Sequence, residues 1–277
     1  MTLASVGVEL PAQRGGAKAL LLTMLGEFVL PAGGAAWTSS MIAAAETLGI
    51  SEKNTRQAIA RIGDQGLVTS VRHGRRVRWT LTTSGRNLLE AGTRRIYEFG
   101  VPEVEWDGAW LVAHCPVAES QRPLRSQLRT RLGFLGFGEV SASLLISPHV
   151  DREPQLRQVL ADLGLADDSI VLRSSTASAA EDASLVERAW DLGALAHSYG
   201  SFRGAYDHRD PVGGHASFTA LVELVHDWRR FPFIDPELPT ELLPANWAGA
   251  TAATTFHDRH AAWTPAAQTW FADLESE

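Results

Sequence analysis

Leu48-Gly49-Ile50-Ser51-Glu52-Lys53-Asn54-Thr55-Arg56-Gln57-Ala58-Ile59-Ala60-Arg61-Ile62 is the stretch on which the fold turns. Gly49 ends the helix before it, Ser51 is a good N-cap, and a helix is predicted to about Gln65, with Gly66 as its stop. At about 100° per residue, Thr55, Ala58, Ile59 and Ile62 share one face, the core stripe of an amphipathic helix. Lys53 and Gln57 point the opposite way, with Asn54 and Arg61 on one flank and Arg56 on the other. Upstream, a helix from Ala19 to Leu30 stops at Pro31 and Gly33-Gly34, and Trp37-Thr38-Ser39 offers caps for a second one through Leu48. Downstream, short strands from Leu67 to Val71 and from Val77 to Leu81 flank His73-Gly74-Arg75-Arg76, a hairpin with glycine at its tip. Thr82-Thr83-Ser84 then caps a fourth helix from Gly85 to about Glu98. Three helices, a basic hairpin and a further helix follow the order of a winged helix-turn-helix, with Leu48-Gly49-Ile50-Ser51 as the tight turn before the recognition helix.

Charge supports this reading. The formal net charge of −7 conceals a division along the chain. Residues 1–100 carry 12 Lys+Arg against 7 Asp+Glu, and residues 101–277 carry 13 against 25. A basic end on an acidic body points to nucleic-acid contact by one domain. No acidic residue lies between Asp64 and Glu90, whereas Arg72, Arg75, Arg76, Arg78 and Arg86 all do. A merely solvated surface ordinarily mixes both signs. Asn and Gln pair with adenine and Arg or Lys with guanine in the major groove. The candidate contacts to duplex DNA are therefore Lys53, Asn54, Arg56, Gln57 and Arg61 on the helix, and Arg72, Arg75, Arg76 and Arg78 on the wing. Arg75 and Arg76, at the tip, suit phosphate or the minor groove and fix register rather than sequence.

The remaining chain sets the fold class. Pro102 to Asp107 is a polar linker. Strand Ala109 to Cys115, helix Ser120 to Leu132, strand Ser141 to Ser147, helix Glu153 to Leu163 and strand Ser169 to Arg173 follow in β-α-β-α-β order. That order predicts a small open sheet with helices on one face, ferredoxin-like in shape. Ser174 to Ala180 is a second linker, and a mostly helical region starts near Ala183. The whole is an α+β chain with a winged helix-turn-helix at 19–100, a ferredoxin-like middle domain at 106–175 and a helical domain at 183–277.

Several function classes drop out. No run approaches the about 20 apolar residues of a membrane span, and the first residues lack a signal-peptide pattern. They read as a flexible leader through residue 18, and a cytoplasmic protein is expected. The single cysteine, Cys115, excludes an internal disulfide and a cysteine-based zinc site. His257 and His260 lie one helical turn apart, and His197, His208, His215 and His226 are scattered; all read as surface or satisfied histidines rather than metal ligands. Asp107 and His114 can be arranged with a serine on paper, but no nucleophile elbow supports a triad. No catalytic residue, metal or cofactor is expected.

Nearly the whole chain resembles the PaaX family, repressors of phenylacetic-acid degradation operons. The resemblance rests on Thr55-Arg56-Gln57-Ala58 to Arg61-Ile62, on Gly74-Arg75-Arg76 with Trp79-Thr80-Leu81-Thr82, and on Trp106-Asp107-Gly108-Ala109-Trp110. It continues through Leu128-Arg129 to Leu132-Gly133-Phe134 and Ser147-Pro148. Its most specific part is Arg229-Arg230-Phe231-Pro232-Phe233-Ile234-Asp235-Pro236-Glu237-Leu238-Pro239, then Leu242-Leu243-Pro244 and Trp247. The resemblance implies a homodimer on a palindromic operator, with the helical C-terminal domain serving dimer and effector, released by an aromatic acyl-CoA such as phenylacetyl-CoA. Trp228, with Arg203, Arg229 and Arg230, would suit an aromatic acyl end and an anionic nucleotide end. The rival assignment pairs Arg229 and Arg230 with Asp227, Asp235 or Glu237. The middle segment also resembles the ferredoxin-like nucleases of the CRISPR adaptation machinery, but Cys115 stands where they carry a metal-binding aspartate. A nuclease or hydrolase on that domain, and an architectural DNA-binding protein without effector, are the alternatives to a repressor.

Overall fold

Ser51 ends an extended segment and its side-chain oxygen accepts from the Asn54 amide, so helix α3 (Glu52–Asp64) starts there. Thr55, Ala58, Ile59 and Ile62 are its buried residues, the same four that the period singles out. Before it lie α1 (Ala17–Met24), which widens into a π turn over Leu25–Val29, strand β1 (Ala35–Trp37) and α2 (Thr38–Glu46). After it come β2 (Val68–His73), β3 (Arg76–Leu81) and α4 (Thr83–Tyr97). The computed structural model describes residues 16–100 and 105–276. The expected leader therefore lies almost wholly outside the described residues, and the Pro102–Asp107 linker does so in part. Helices and two small sheets make this an α+β protein.

The chain divides into two compact units. The first gathers 16–98, 205–230 and 254–276. Its sheet runs β1-β3-β2, and β1, a strand not foreseen, pairs antiparallel with β3 through Ala35↔Thr80, Ala36↔Trp79 and Trp37↔Arg78. Leu21, Met24, Phe28, Met41, Ile59 and Ile62 form the inner wall of its core. Burial of each such side chain stabilises by about 1.5–3 kcal/mol. Two distant elements complete this core: α9 (Gly214–Trp228) and the later part of α11 (Ala248–Ser276). Phe28 meets Phe218 at 4.6 Å and Phe271 at 5.4 Å, and Trp228 stacks on Phe256 at 4.8 Å.

The second unit holds 99–204 and 231–253. Its sheet, in the order β5-β6-β4-β7, is built from β4 (Trp110–His114), β5 (Gly138–Ser141), β6 (Leu144–Ser147) and β7 (Ile170–Ser174). One face packs Leu111, Ala113 and Cys115 against α5 (Arg122–Gly133) and α6 (Glu153–Asp162). The other, which the sequence reading leaves open, is covered too. There Trp110 and Ile146 meet Val186 of α7 (Ala179–Ala189) and Leu238 and Leu242. The strand expected from Ser141 to Ser147 is a hairpin, because the chain turns at Ala142-Ser143. Helix α8 (Leu192–Tyr206) and the short α10 (Phe231–Ile234) account for the rest.

Candidate nucleic-acid interface

Helix α3 presents Lys53, Asn54, Arg56, Gln57 and Arg61 to solvent. The buried Thr55 is satisfied within the helix, donating from Oγ1 to the Ser51 carbonyl at 3.1 Å. Arg56 is tied to Glu52 at 2.8 Å, an exposed pair of little energetic worth that a phosphate can displace. Arg61 Nε donates to the Gln57 carbonyl at 3.3 Å. Four polar or basic side chains and Arg56 thus line one exposed face, backed by an apolar stripe that fixes the helix.

The hairpin closes tightly. His73 pairs with Arg76 across a two-residue loop in which Gly74 has φ 61°, a conformation open to glycine at little cost. At its base Thr82 Oγ1 donates to the Gly66 carbonyl at 2.6 Å and accepts from the Gly85 amide at 3.0 Å. Gly85 fits where no side chain could: a Cβ there would lie 1.9 Å from the Leu67 carbonyl oxygen. Strand alternation separates the hairpin arginines. Arg72 pairs with Val77 and shares the face of Trp79 and the buried Leu81, whereas Arg76 and Arg78 lie on the opposite face. Arg72 Nε donates to the Gly74 carbonyl at 3.0 Å, and Arg86 reaches back to the Gly33 carbonyl at 3.4 Å. Trp79 on the inner face donates from Nε1 to Thr38 Oγ1 at 3.1 Å and approaches Gly63 closely.

The sequence assigns Trp228, Arg229, Arg230 and Arg203 to an effector. Trp228 is wholly buried in the core of the first unit, its Nε1 donating to the Ile96 carbonyl at 3.2 Å. Arg229 and Arg230 follow it and are half-buried. Burial holds the Arg229 guanidinium below its ordinary pKa, and Arg229 forms no ion pair among the described residues. Arg203 belongs to the second unit, where Nη1 donates to Thr251 Oγ1 at 3.5 Å. Of the neighbouring carboxylates, Asp227 accepts from Tyr206 at 2.8 Å, Asp235 from Tyr199 at 2.5 Å, and Glu237 faces Arg152 at 3.4 Å. The Phe231–Pro239 string is thus a structural clasp: Asp235 also accepts from the Glu237 amide at 2.6 Å, and the Pro236 carbonyl lies 2.9 Å from His149 Nε2.

Two further groups have structural roles. His260 Nε2 lies 2.7 Å from the Tyr97 hydroxyl and 3.0 Å from Glu27 Oε2, and the Tyr97 hydroxyl donates to Glu27 Oε1 at 2.7 Å. Burial, then the adjacent Glu27 charge, raises the Tyr97 pKa far above its usual value. Cys115, just past β4, is fully buried, and burial pushes its thiol up. That position offers no carboxylate to a metal.

Sequence reasoning missed Trp37, read there only as part of a helix cap, and Glu275. The Trp37 ring lies under Arg76 (4.2 Å) and Arg78 (5.3 Å), with His73 edge-on at 5.5 Å. No local signal points to Glu275, 238 residues away, whose Oε1 accepts from the Trp37 amide at 2.9 Å.

Comparison with known proteins covers almost the same span. Residues 16–85 match the family model described as PaaX-like protein, 103–186 that of the PaaX protein central Cas2-like domain, and 190–273 that of the PaaX-like protein C-terminal domain. Transcriptional repressor PaaX of Escherichia coli (strain K12) is 30% identical over 245 residues, covering 84% of this chain and 76% of that protein. An uncharacterized protein from Mycobacterium tuberculosis shares the fold, with a TM-score of 0.65 at 22% identity, over 93% of this chain and 99% of that one. From its first described helix to the end of α11, the chain belongs to the PaaX family.

Proposed function

We propose that the chain is a transcriptional repressor that grips duplex DNA with a winged helix-turn-helix, α3 entering the major groove and the β2–β3 hairpin serving as the wing. What carries this reading is the 30% identity, over 84% of the chain, to a protein named as a transcriptional repressor. The exposed face of α3 and the basic hairpin support it. Gln57, Asn54, Lys53, Arg56 and Arg61 read base edges, while Arg72, Arg75, Arg76 and Arg78 hold phosphates. A ferredoxin-like middle domain (106–175) and a helical C-terminal domain (183–277) complete the chain, which works in the cytoplasm as a homodimer on a palindromic operator. The releasing ligand is an aromatic acyl-CoA, with Arg229 and Arg230 as candidates for its anionic end and Arg203 as a separate one. Trp228, being core, supports the fold rather than the ligand.

A gel shift on the chain's own upstream region, with and without acyl-CoA thioesters, tests this. Gln57→Ala and Arg61→Ala should weaken operator binding by about 1–3 kcal/mol where a base contact is lost, and leave unrelated duplexes unaffected. Arg75→Ala should weaken all duplexes alike and flatten the salt dependence. Wild-type behaviour of the wing variant at every salt concentration would remove the wing from the interface.

A further inference from the structure

The outer face of the β1-β3-β2 sheet carries an arrangement that DNA contact by the wing does not by itself require. Trp37 pairs with Arg78 across β1 and β3, and Arg76 lies two residues along on the same face. Both guanidiniums sit within cation–π reach of one indole, at 4.2 and 5.3 Å from the ring centroid. Two arginines at i and i+2 on one strand face repel each other, and their long side chains are costly to order. A carboxylate beside Arg78 would order it too, but would also cancel the charge that phosphates need. An aromatic face orders a guanidinium and leaves its charge in place. Arg78 forms no ion pair among the described residues, so the indole is its ordering partner there.

Trp37 is itself held from the far end of the chain. Among the described residues β1 is an edge strand paired only with β3, so the outward amide of Trp37 needs a partner from elsewhere. Glu275 supplies it, its Oε1 accepting at 2.9 Å, and Ser40 Oγ donates to the Leu274 carbonyl at 2.9 Å. The last turn of α11 is thereby pinned at two points to the β1–α2 junction. Both contacts lie within the first unit.

We propose that Trp37 is a positioning residue for the wing arginines Arg76 and Arg78, and that the last turn of α11, through Glu275, sets the position of Trp37. This rests on the reading of the hairpin as a DNA-binding wing. The DNA-binding device then includes the end of the chain.

The test uses the full chain and two labelled duplexes, its own upstream region and an unrelated sequence, titrated by fluorescence anisotropy over a range of salt. Trp37→Leu should weaken both duplexes about two- to sixfold, and Trp37→Phe, which keeps a weaker ring, less. In an Arg76→Ala, Arg78→Ala background, Trp37→Leu should cost nothing more. Glu275→Ala should shift binding in the same direction as Trp37→Leu, and Glu275→Gln, which retains an acceptor, should restore it. A loss from Trp37→Leu that is the same with and without the two arginines means that the indole acts only on the fold, and overturns the proposal. So does Glu275→Ala binding like wild type while Arg76→Ala is weakened. If Arg76→Ala and Arg78→Ala leave both duplexes bound as before, it is the DNA-binding wing itself that fails. Thermal midpoints for each variant separate lost folding from lost positioning.

Discussion

Acidification should destabilise the first unit through one residue, His226 on α9. Its Nδ1 is buried with no hydrogen-bond partner among the described residues. Burial, and then the charge of Arg229 one turn on, lower its pKa to about 4, against a smaller opposing pull from Asp227. In the unfolded chain a histidine titrates near 6.5, so from about pH 6.5 down to about 4 the unfolded state binds a proton that the folded state refuses. Stability is therefore unaffected by this group above that window and falls as the pH drops through it. Between pH 7 and pH 5 the loss comes to about 2 kcal/mol. His226→Leu removes the titrating group and also an unsatisfied buried atom, which by itself costs about 1–3 kcal/mol. The variant should be at least as stable as the parent at pH 7 and lose about 2 kcal/mol less on going to pH 5. Urea unfolding followed by tryptophan fluorescence at the two pH values measures this. His149, also lowered by burial, is common to both proteins and drops out of the difference. An identical loss between pH 7 and pH 5 in parent and variant refutes the assignment.

Other perturbations probe the scaffold under the interface. Gly85→Ala places a Cβ 1.9 Å from the Leu67 carbonyl oxygen, against backbone that cannot rotate away. It should cost about 1–3 kcal/mol or more, seen as a lowered thermal midpoint with no change in the DNA affinity of the folded fraction. Tyr97→Phe deletes the hydroxyl that lies 2.7 Å from both Glu27 and His260. The loss should be about 1.5–3 kcal/mol, as for a hydrogen bond to a charged group, and denaturant unfolding at neutral pH reads it.

The elements around α3 were legible because their causes are local. A serine cap, a 3.6-residue apolar period and a glycine stop act within a few turns, and the four core positions read from the period are the four that the structure buries. Thr82 caps α4 by the same logic. What escaped had no local signature. β1 is three residues long and exists because β3 offers it an edge. The β5–β6 hairpin turns at Ala142-Ser143, without the Gly, Asn or Pro that announces a turn. Composition alone does not place Trp228 either, since a tryptophan beside two arginines reads the same whether its ring lines a ligand site or stacks on Phe256 in a core.

The site was half legible for the same reason. The hairpin's positive charge is a property of a short window, so counting signs between Asp64 and Glu90 finds it. The direction in which that charge is held depends on register and on partners from the other end of the chain. Alternation alone places Arg72 and Arg78 on opposite faces only once the His73↔Arg76 pairing is fixed. Beyond the hairpin, Phe28 depends on Phe218 and Phe271 for its burial, and Glu27 on His260 for one of its hydrogen bonds. A fragment ending at Glu98 would expose that aromatic surface and leave a nearly buried carboxylate without its imidazole, so the elements proposed to read DNA are adjacent in sequence without being self-sufficient in stability. Local chemistry chose the elements; contacts across more than 200 residues decide where their side chains point.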